Sequence, residues 1–120
     1  MANLPQALDA LLNAFNERDL DKIRGHIEPF LEPDVVFCDP NYLVRGVAEF
    51  VQMVKEFRLR IPNALCEHTS GVDTHHGRYR YHWAVSVDGQ VLVPGFDVTL
   101  LSDAGKIVRI DGFFGPVPAH

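Results

Sequence analysis

Arg78-Tyr79-Arg80-Tyr81-His82-Trp83-Ala84-Val85-Ser86-Val87, followed by Asp88-Gly89, is the stretch whose rhythm decides the fold. Tyr79, Tyr81, Trp83, Val85 and Val87 alternate with Arg78, Arg80, His82, Ala84 and Ser86. That period of two belongs to a strand with one buried face. Asp88-Gly89 is a two-residue hairpin signal, because both positions tolerate positive φ. The return strand then runs from Val91 to Leu101. Asp103-Ala104-Gly105-Lys106 predicts the next turn, and Ile107 to Phe114 the last strand. Upstream, Leu65 to Val72 predicts another strand, ahead of a turn at Thr74-His75-His76-Gly77. Tyr79, Tyr81, Trp83 and Val85 should share the inner face with Ile110, Gly112 and Phe114. Arg78, Arg80 and His82 should lie on the outer one.

Farther upstream the period changes to that of a helix. Asn3 with Gln6 three residues on is a capping-box pattern. Leu4, Leu8, Leu11, Leu12 and Phe15 follow at helical spacing, with Asn13, Asn16 and Glu17 on the other side. Asp19 is a second cap, and Leu20, Ile23, Ile27 and Phe30 continue the rhythm. Pro29 and Pro33 end it, since proline lacks an N–H and crowds the preceding turn. Val35-Val36-Phe37-Cys38 is a short strand closed by Asp39-Pro40. Gly46 opens a third periodic segment of Val47, Phe50, Val51, Val54 and Phe57, which stops before Pro62. The Lys55–Arg60 cluster at its end reads as solvated. The order predicts a single α+β domain over residues 1–120. Its three helices cover the concave face of a curved, largely antiparallel sheet and leave a cone-shaped pocket.

The 120 residues and 47% hydrophobic content suit one globular core. Eleven Lys and Arg against sixteen Asp and Glu give a net charge of −5, which disfavours nucleic acid. Apolar runs are far shorter than the roughly 20 residues of a membrane span. Met1 to Pro5 has neither a basic start nor a long apolar run, so no signal peptide is expected. Cys38 and Cys66 form no disulfide framework or metal quartet, and a cytoplasmic protein with reduced thiols is expected. His75-His76 lacks a third ligand at metal spacing, so neither metal nor cofactor is expected. Cys38 alternates with Asp39 and should point away from it.

Three stretches carry a resemblance. Asn16-Glu17-Arg18-Asp19-Leu20-Asp21-Lys22-Ile23 resembles the first inter-helix junction of the ketosteroid isomerase branch of the nuclear transport factor 2-like (SnoaL-like) superfamily. Val35 to Pro40 with the loop to Gly46 resembles its first strand and catalytic aspartate. Ala104-Gly105-Lys106-Ile107-Val108 through Gly115 resembles its closing hairpin. The resemblance implies that Asp39 is a general base moving a proton between carbons next to a carbonyl. The bare residues allow a plainer role, since Asp-Pro commonly starts a turn. Counted back from Ala104-Gly105-Lys106, Asp97 falls on the family's second aspartate, kept protonated to hydrogen-bond the developing oxyanion. Ketosteroid isomerase is the standard worked case of this device. Locally, Asp97 is the sole charge in Val93 to Leu101, as desolvation would require.

The family's helix-one tyrosine falls at Leu11, which has no donor, and neither Leu12 nor Phe15 offers one. Tyr42, in the loop after Asp39, and Tyr81, where the family has a pocket phenylalanine, are the candidate substitutes. Trp83, Ile110 and Phe114 complete the expected apolar wall. An epoxide hydrolase arrangement is disfavoured because its last-strand aspartate falls on Gly112, while Asp111 has the wrong parity. Two readings follow: a proton-transfer isomerase, lyase or cyclase acting on a hydrophobic carbonyl compound, or a non-catalytic binder of a small apolar molecule. A homodimer through the convex sheet face around Arg80 and His82 is expected, because no further helices remain to cover that face.

Overall fold

The computed structural model describes residues 4–120. Helix α1 spans Gln6–Asn16, α2 Ile23–Ile27 and α3 Val47–Arg60. The strands are β1 Leu31–Cys38, β2 Leu43–Arg45, β3 Leu65–His68, β4 Asp73–His75, β5 Arg78–Val87, β6 Gln90–Leu101 and β7 Ile107–Phe114. They form a seven-stranded sheet ordered β2-β1-β7-β6-β5-β3, with β4 also paired to β5. Every pairing is antiparallel except β1 with β7. Three ladders shift register, at Leu31/Val36, Val85/Ser86 and Leu100/Leu101, and such irregularities bend a sheet. The expected α+β architecture is therefore present.

The helices bury one face against this sheet. Ala7, Leu11 and Ala14 of α1 meet Ile23 and Ile27 of α2 and Phe50, Val51 and Val54 of α3, all buried. Ile107 and Ile110 lie beneath them with no exposure. At the other strand end, Phe57, Ala64 and Val85 form a smaller apolar cluster. The core is thus thick at one end of the sheet and thin at the other, and the thin end leaves space for a cavity.

Local details depart from the sequence reading. Asn3 lies outside the described residues, and Pro5 occupies the N-cap of α1. Asp19 does cap, with Oδ1 accepting from the Asp21 N–H at 3.0 Å, but the turn it starts is 3₁₀ over Leu20–Lys22. A second 3₁₀ turn, Glu28–Phe30, takes up Pro29 and ends the helical run. Pro33 lies inside β1 rather than before it. It falls where the β1–β7 ladder is interrupted, so its missing donor breaks no hydrogen bond there. The expected strand over Leu65–Val72 is split into β3 and β4, and the turn before β5 contracts to His76-Gly77, both at positive φ.

Asn16, on the polar face of α1 by its spacing, has a structural task. Its Nδ2 donates to the Cys66 carbonyl at 2.9 Å, and its Oδ1 accepts from the Cys66 N–H at 2.7 Å. The side-chain amide thereby acts as a strand partner for the free edge of β3.

The Lys55–Arg60 cluster is not a solvated helix end as a whole. Arg58 is 3% exposed. Its Nη1 donates to the Phe15 carbonyl at 3.2 Å and the Ala64 carbonyl at 2.7 Å, and its Nη2 to the Pro62 carbonyl at 2.6 Å. These oxygens lie in the last turn of α1 and the link from α3 to β3, where helical partners run out. Three carbonyl dipoles stabilise the cation. Arg58 Nε is buried without a partner among the described residues. Arg58→Ala should therefore cost about 3 kcal/mol in urea unfolding, because three carbonyls lose a charged donor. Arg58→Lys should recover less than half of that loss, since an ammonium cannot spread over all three oxygens.

Candidate functional site

A cavity of about 300 Å³ opens between the helices and the sheet. Leu11, Leu12 and Phe15 of α1 and Met53 and Phe57 of α3 form its helical wall. Across the sheet, its wall takes residues from successive strands. Asp39 follows β1, Asp97 comes from β6, Tyr81 and Trp83 from β5, and His68 from β3. Phe114 of β7 closes the rim, its ring edge-on to Trp83 at 5.8 Å between centroids.

Asp39 and Asp97 flank Gly112. A Cβ built on Gly112 would lie 2.7 Å from Asp97 Oδ1 and 3.4 Å from Asp39 Cβ. No larger residue fits without moving a carboxyl, so glycine at this position lets both acids share one cavity. The absence of an inward aspartate on β7 follows from the same crowding. Asp111, on the other face, binds Arg109 Nε at 2.9 Å.

The two acids live in different surroundings. Asp39 is partly buried, and its Oδ1 accepts from the backbone N–H groups of Asn41 and Tyr42, each at 2.8 Å. Asp39 thus starts a turn and also lines the cavity. Burial raises its pKa, while those two N–H groups and the charge of Arg60 pull against the rise. Asp97 is 8% exposed. Its Oδ1 accepts from Trp83 Nε1–H at 2.8 Å. Burial pushes its pKa up to about 7; the Trp83 hydrogen bond opposes this and the nearby Asp39 charge adds to it. Gly95, paired with Trp83 across the β5–β6 ladder, makes the Trp83–Asp97 contact possible. A Cβ on Gly95 would fall 2.0 Å from the indole ring.

Tyr81 is almost wholly buried, and its hydroxyl shares a 2.8 Å hydrogen bond with Thr99 Oγ1. Burial raises its pKa, and the adjacent Asp97 charge adds to the rise. Tyr42 lines the mouth, its hydroxyl accepting from Arg60 Nη1 at 3.0 Å, with that guanidinium over its ring. Leu11 does border the cavity, so α1 supplies no donor at that point. Ile110 must be corrected. It faces inward as its parity requires, but it is fully buried in the core under the helices and does not line the cavity. The thick end of the core fills the space in front of it.

Arg60, Cys66 and His68 line the cavity without having been singled out as site residues. Arg60 reads in the sequence as part of a solvated helix end. The other two were visible as alternate positions on a strand, but Leu65 to His68 has no apolar alternation to reveal which face turns inward. Burial pushes the Cys66 thiol up to about 12, against the pull of Arg58, so it stays neutral. Among the described residues no cluster of His, Cys, Asp or Glu could hold a metal, and no helix is long and apolar enough to cross a membrane.

No protein-family model and no curated protein sequence matches this chain. Solved structures do. A protein from Agrobacterium tumefaciens, provisionally described as an isomerase of the SnoaL-like family, shares 24% identity. It matches over 94% of this chain and 100% of its own, with a TM-score of 0.86. An NTF2-like protein of unknown function from an Exiguobacterium species matches at 20% identity over 92% and 99%, TM-score 0.75. The chain has the SnoaL-like, NTF2-like fold. A provisional polyketide cyclase from Sinorhizobium meliloti shares it at 17% identity over 91% and 94%, TM-score 0.72. Bearers of the NTF2-like fold differ in activity, so the fold identifies where the cavity lies and leaves its chemistry to the residues lining it.

The raised pKa of Asp97 has a thermodynamic consequence. The folded state holds this proton up to about pH 7, whereas an unfolded aspartate releases it near 3.9. Between those values the folded form binds more protons, so stability falls as pH rises, by about 1.4 kcal/mol per unit at most. Asp97→Asn abolishes this dependence while keeping an acceptor for Trp83. The melting temperature of the Asn variant minus that of wild type should therefore climb from pH 4.5 to pH 7 and level off above.

Proposed function

We propose that this chain is a small-molecule enzyme of the ketosteroid isomerase type, moving a proton on a hydrophobic carbonyl compound. Asp39 is the base, and neutral Asp97 donates a hydrogen bond to the oxyanion that develops on the carbonyl oxygen. The observation that carries this reading is the pair of carboxyls flanking Gly112 in one cavity, in environments that separate their proton affinities. Asp39, near Arg60 and two backbone donors, is the easier to ionise. Its hydrogen bonds fall on Oδ1, which leaves Oδ2 to take up the substrate proton. Asp97 uses Oδ1 to accept from Trp83, which leaves Oδ2 to carry a proton toward the substrate. A proton taken from one carbon by Asp39 and returned to another gives isomerisation; passed to a departing leaving group as the double bond forms it gives the lyase outcome, and passed to the alkoxide formed when the enolate carbon attacks a carbonyl of the same molecule it gives the cyclase outcome.

Leu11 supports a second reading. The wall of α1 offers no donor to an oxyanion, and loss of one such donor typically costs about 10²–10³ in rate. The Tyr81 hydroxyl is already shared between Thr99, in a bond where either oxygen can donate, and Asp97 itself. A non-catalytic binder of a small apolar molecule would use the same cavity, which lies at the lower end of the roughly 300–1,000 Å³ typical of ligand sites. Two variants separate the readings. Asp39→Asn should abolish turnover of a β,γ-unsaturated ketone followed by ultraviolet absorbance, while binding of a phenol is kept or improved. Asp97→Leu should weaken phenol binding about tenfold more than Asp97→Asn, because the amide can still donate. Phenol binding without turnover in wild type would select the binder.

The outer sheet face supports a homodimer. Phe96 of β6 pairs with Phe113 of β7, which is 61% exposed, and Val98 and Leu100 continue the same face of β6. Arg80 and His82 border this strip, His82 packing its ring on Phe96 at 5.3 Å. Light scattering at micromolar concentration should return twice the 13.5 kDa chain mass, and Phe113→Glu should return the single chain.

A further inference from the structure

Arg60 is the only lysine or arginine that lines the cavity. It stands at the end of α3, and the helix offers it an ordinary partner. Glu56 lies one turn back, in the order that favours an i, i+4 pair. That pair does not form. The ion pairs among the described residues are Arg24–Glu28, His26–Glu17, Arg80–Asp73 and Arg109–Asp111, and Arg60 belongs to none of them. Its side chain reaches the cavity mouth instead, where Nη1 donates to the Tyr42 hydroxyl at 3.0 Å. The guanidinium carbon lies 5.8 Å from the centroid of the Tyr42 ring, a cation–π contact that steadies its plane. Nε and Nη2 have no hydrogen bond among the described residues. Asp39 is the acid that feels this charge, yet its Oδ1 is taken by the N–H groups of Asn41 and Tyr42. Asn41 also lines the cavity. Its backbone N–H serves Asp39, and its side-chain amide has no partner among the described residues.

We propose that Arg60 is a specificity residue for this cavity, and that the ligands are organic acids. The apolar body of such a ligand fills the cavity, and its ionised carboxylate meets Arg60 and Asn41 at the mouth. The open edge of the guanidinium presents Nε–H and Nη2–H side by side, which matches the two oxygens of a carboxylate. A chain of net charge −5 repels anions at long range, so a local cation is what admits one. Tyr42 holds the cation at the mouth without neutralising it, as a helix-bound partner such as Glu56 would do. The inference rests on the cavity being a ligand site, which both readings under Proposed function share, and makes no use of Asp97.

Calorimetric titration near pH 7 with 2-naphthylacetate and its neutral analogue 2-naphthylacetamide tests it. The two share one apolar body and differ in charge. Wild type should bind the acid about tenfold more tightly than the amide, the gain from a charged hydrogen-bonded pair at a partly exposed site. Raising the salt to about 1 M, where screening reaches down to about 3 Å, should shrink that preference. Arg60→Met keeps an apolar stem and removes the charge. It should bring the acid down to the affinity of the amide, whose own binding reports that the cavity is intact. Arg60→Lys should recover part of the preference, because an ammonium keeps the charge and loses the fork. A preference for the acid that survives Arg60→Met, or no preference in a wild type that binds the amide, would overturn the role of Arg60 and leave the cavity as an apolar site. A wild type that binds neither compound would overturn the ligand site and this inference with it.

Discussion

One hydrogen bond organises the functional half of this molecule: the indole N–H of Trp83 on the buried carboxyl of Asp97. A carboxyl in the middle of a sheet, with apolar strands on either side, is costly unless something satisfies it. The donor comes from the adjacent strand, and the geometry that brings it there depends on two glycines. Gly95 gives the indole a surface to lie on, and Gly112 leaves room for the carboxyl itself. Either site with a Cβ would force the pair apart. The glycines hold ordinary strand backbone here, so their value lies in what they omit rather than in conformational freedom. Through Gly112 the arrangement reaches Asp39, and through Trp83 it reaches Phe114 at the rim. The cavity wall is therefore a set of mutually dependent contacts around one buried acid.

Much of this was legible in the sequence because strand parity is a rigid code. The alternation from Tyr79 to Val87 settled which side chains face inward. Counting by twos along β7 placed Gly112 on that face, and the resemblance, with the lack of any other charge from Val93 to Leu101, placed Asp97 there. The helices were legible for a related reason, since their apolar spacing has no other use. What parity cannot give is depth. Ile110 and Phe114 share one face of one strand, yet helices fill the space over Ile110 and leave Phe114 at an opening. Depth depends on how far a helix reaches along the sheet, and that is a tertiary quantity.

The misread residues have a common origin as well. Arg58 and Arg60 sit two apart in a charged run, and a charged run at a helix end is normally solvated. One guanidinium instead turns back under the helix to collect three carbonyls, and the other folds over Tyr42 at the cavity mouth. Nothing in their spacing separates them: backbone oxygens, which carry no residue identity, decide Arg58, and the side chain of Tyr42, distant in sequence, decides Arg60. Asn16 was misplaced in the same way: its partner is the backbone of Cys66, fifty residues away. Side chains that serve backbone groups are hard to foresee from pattern alone, and here they hold α1, α3 and β3 together around the cavity.

The amide of Asn16 has one more effect. An open sheet ends in unpaired strands, and an unpaired strand invites another chain to extend it. At one margin of this sheet the outward N–H and C=O of Cys66 are already taken by Asn16. At the other, β2 is three residues long, too short to template a lasting addition. Growth by stacking strand upon strand into fibrils is thus discouraged at both ends. The molecule can keep an open sheet, which its cavity requires, without the hazard of runaway polymerisation that an open sheet normally brings.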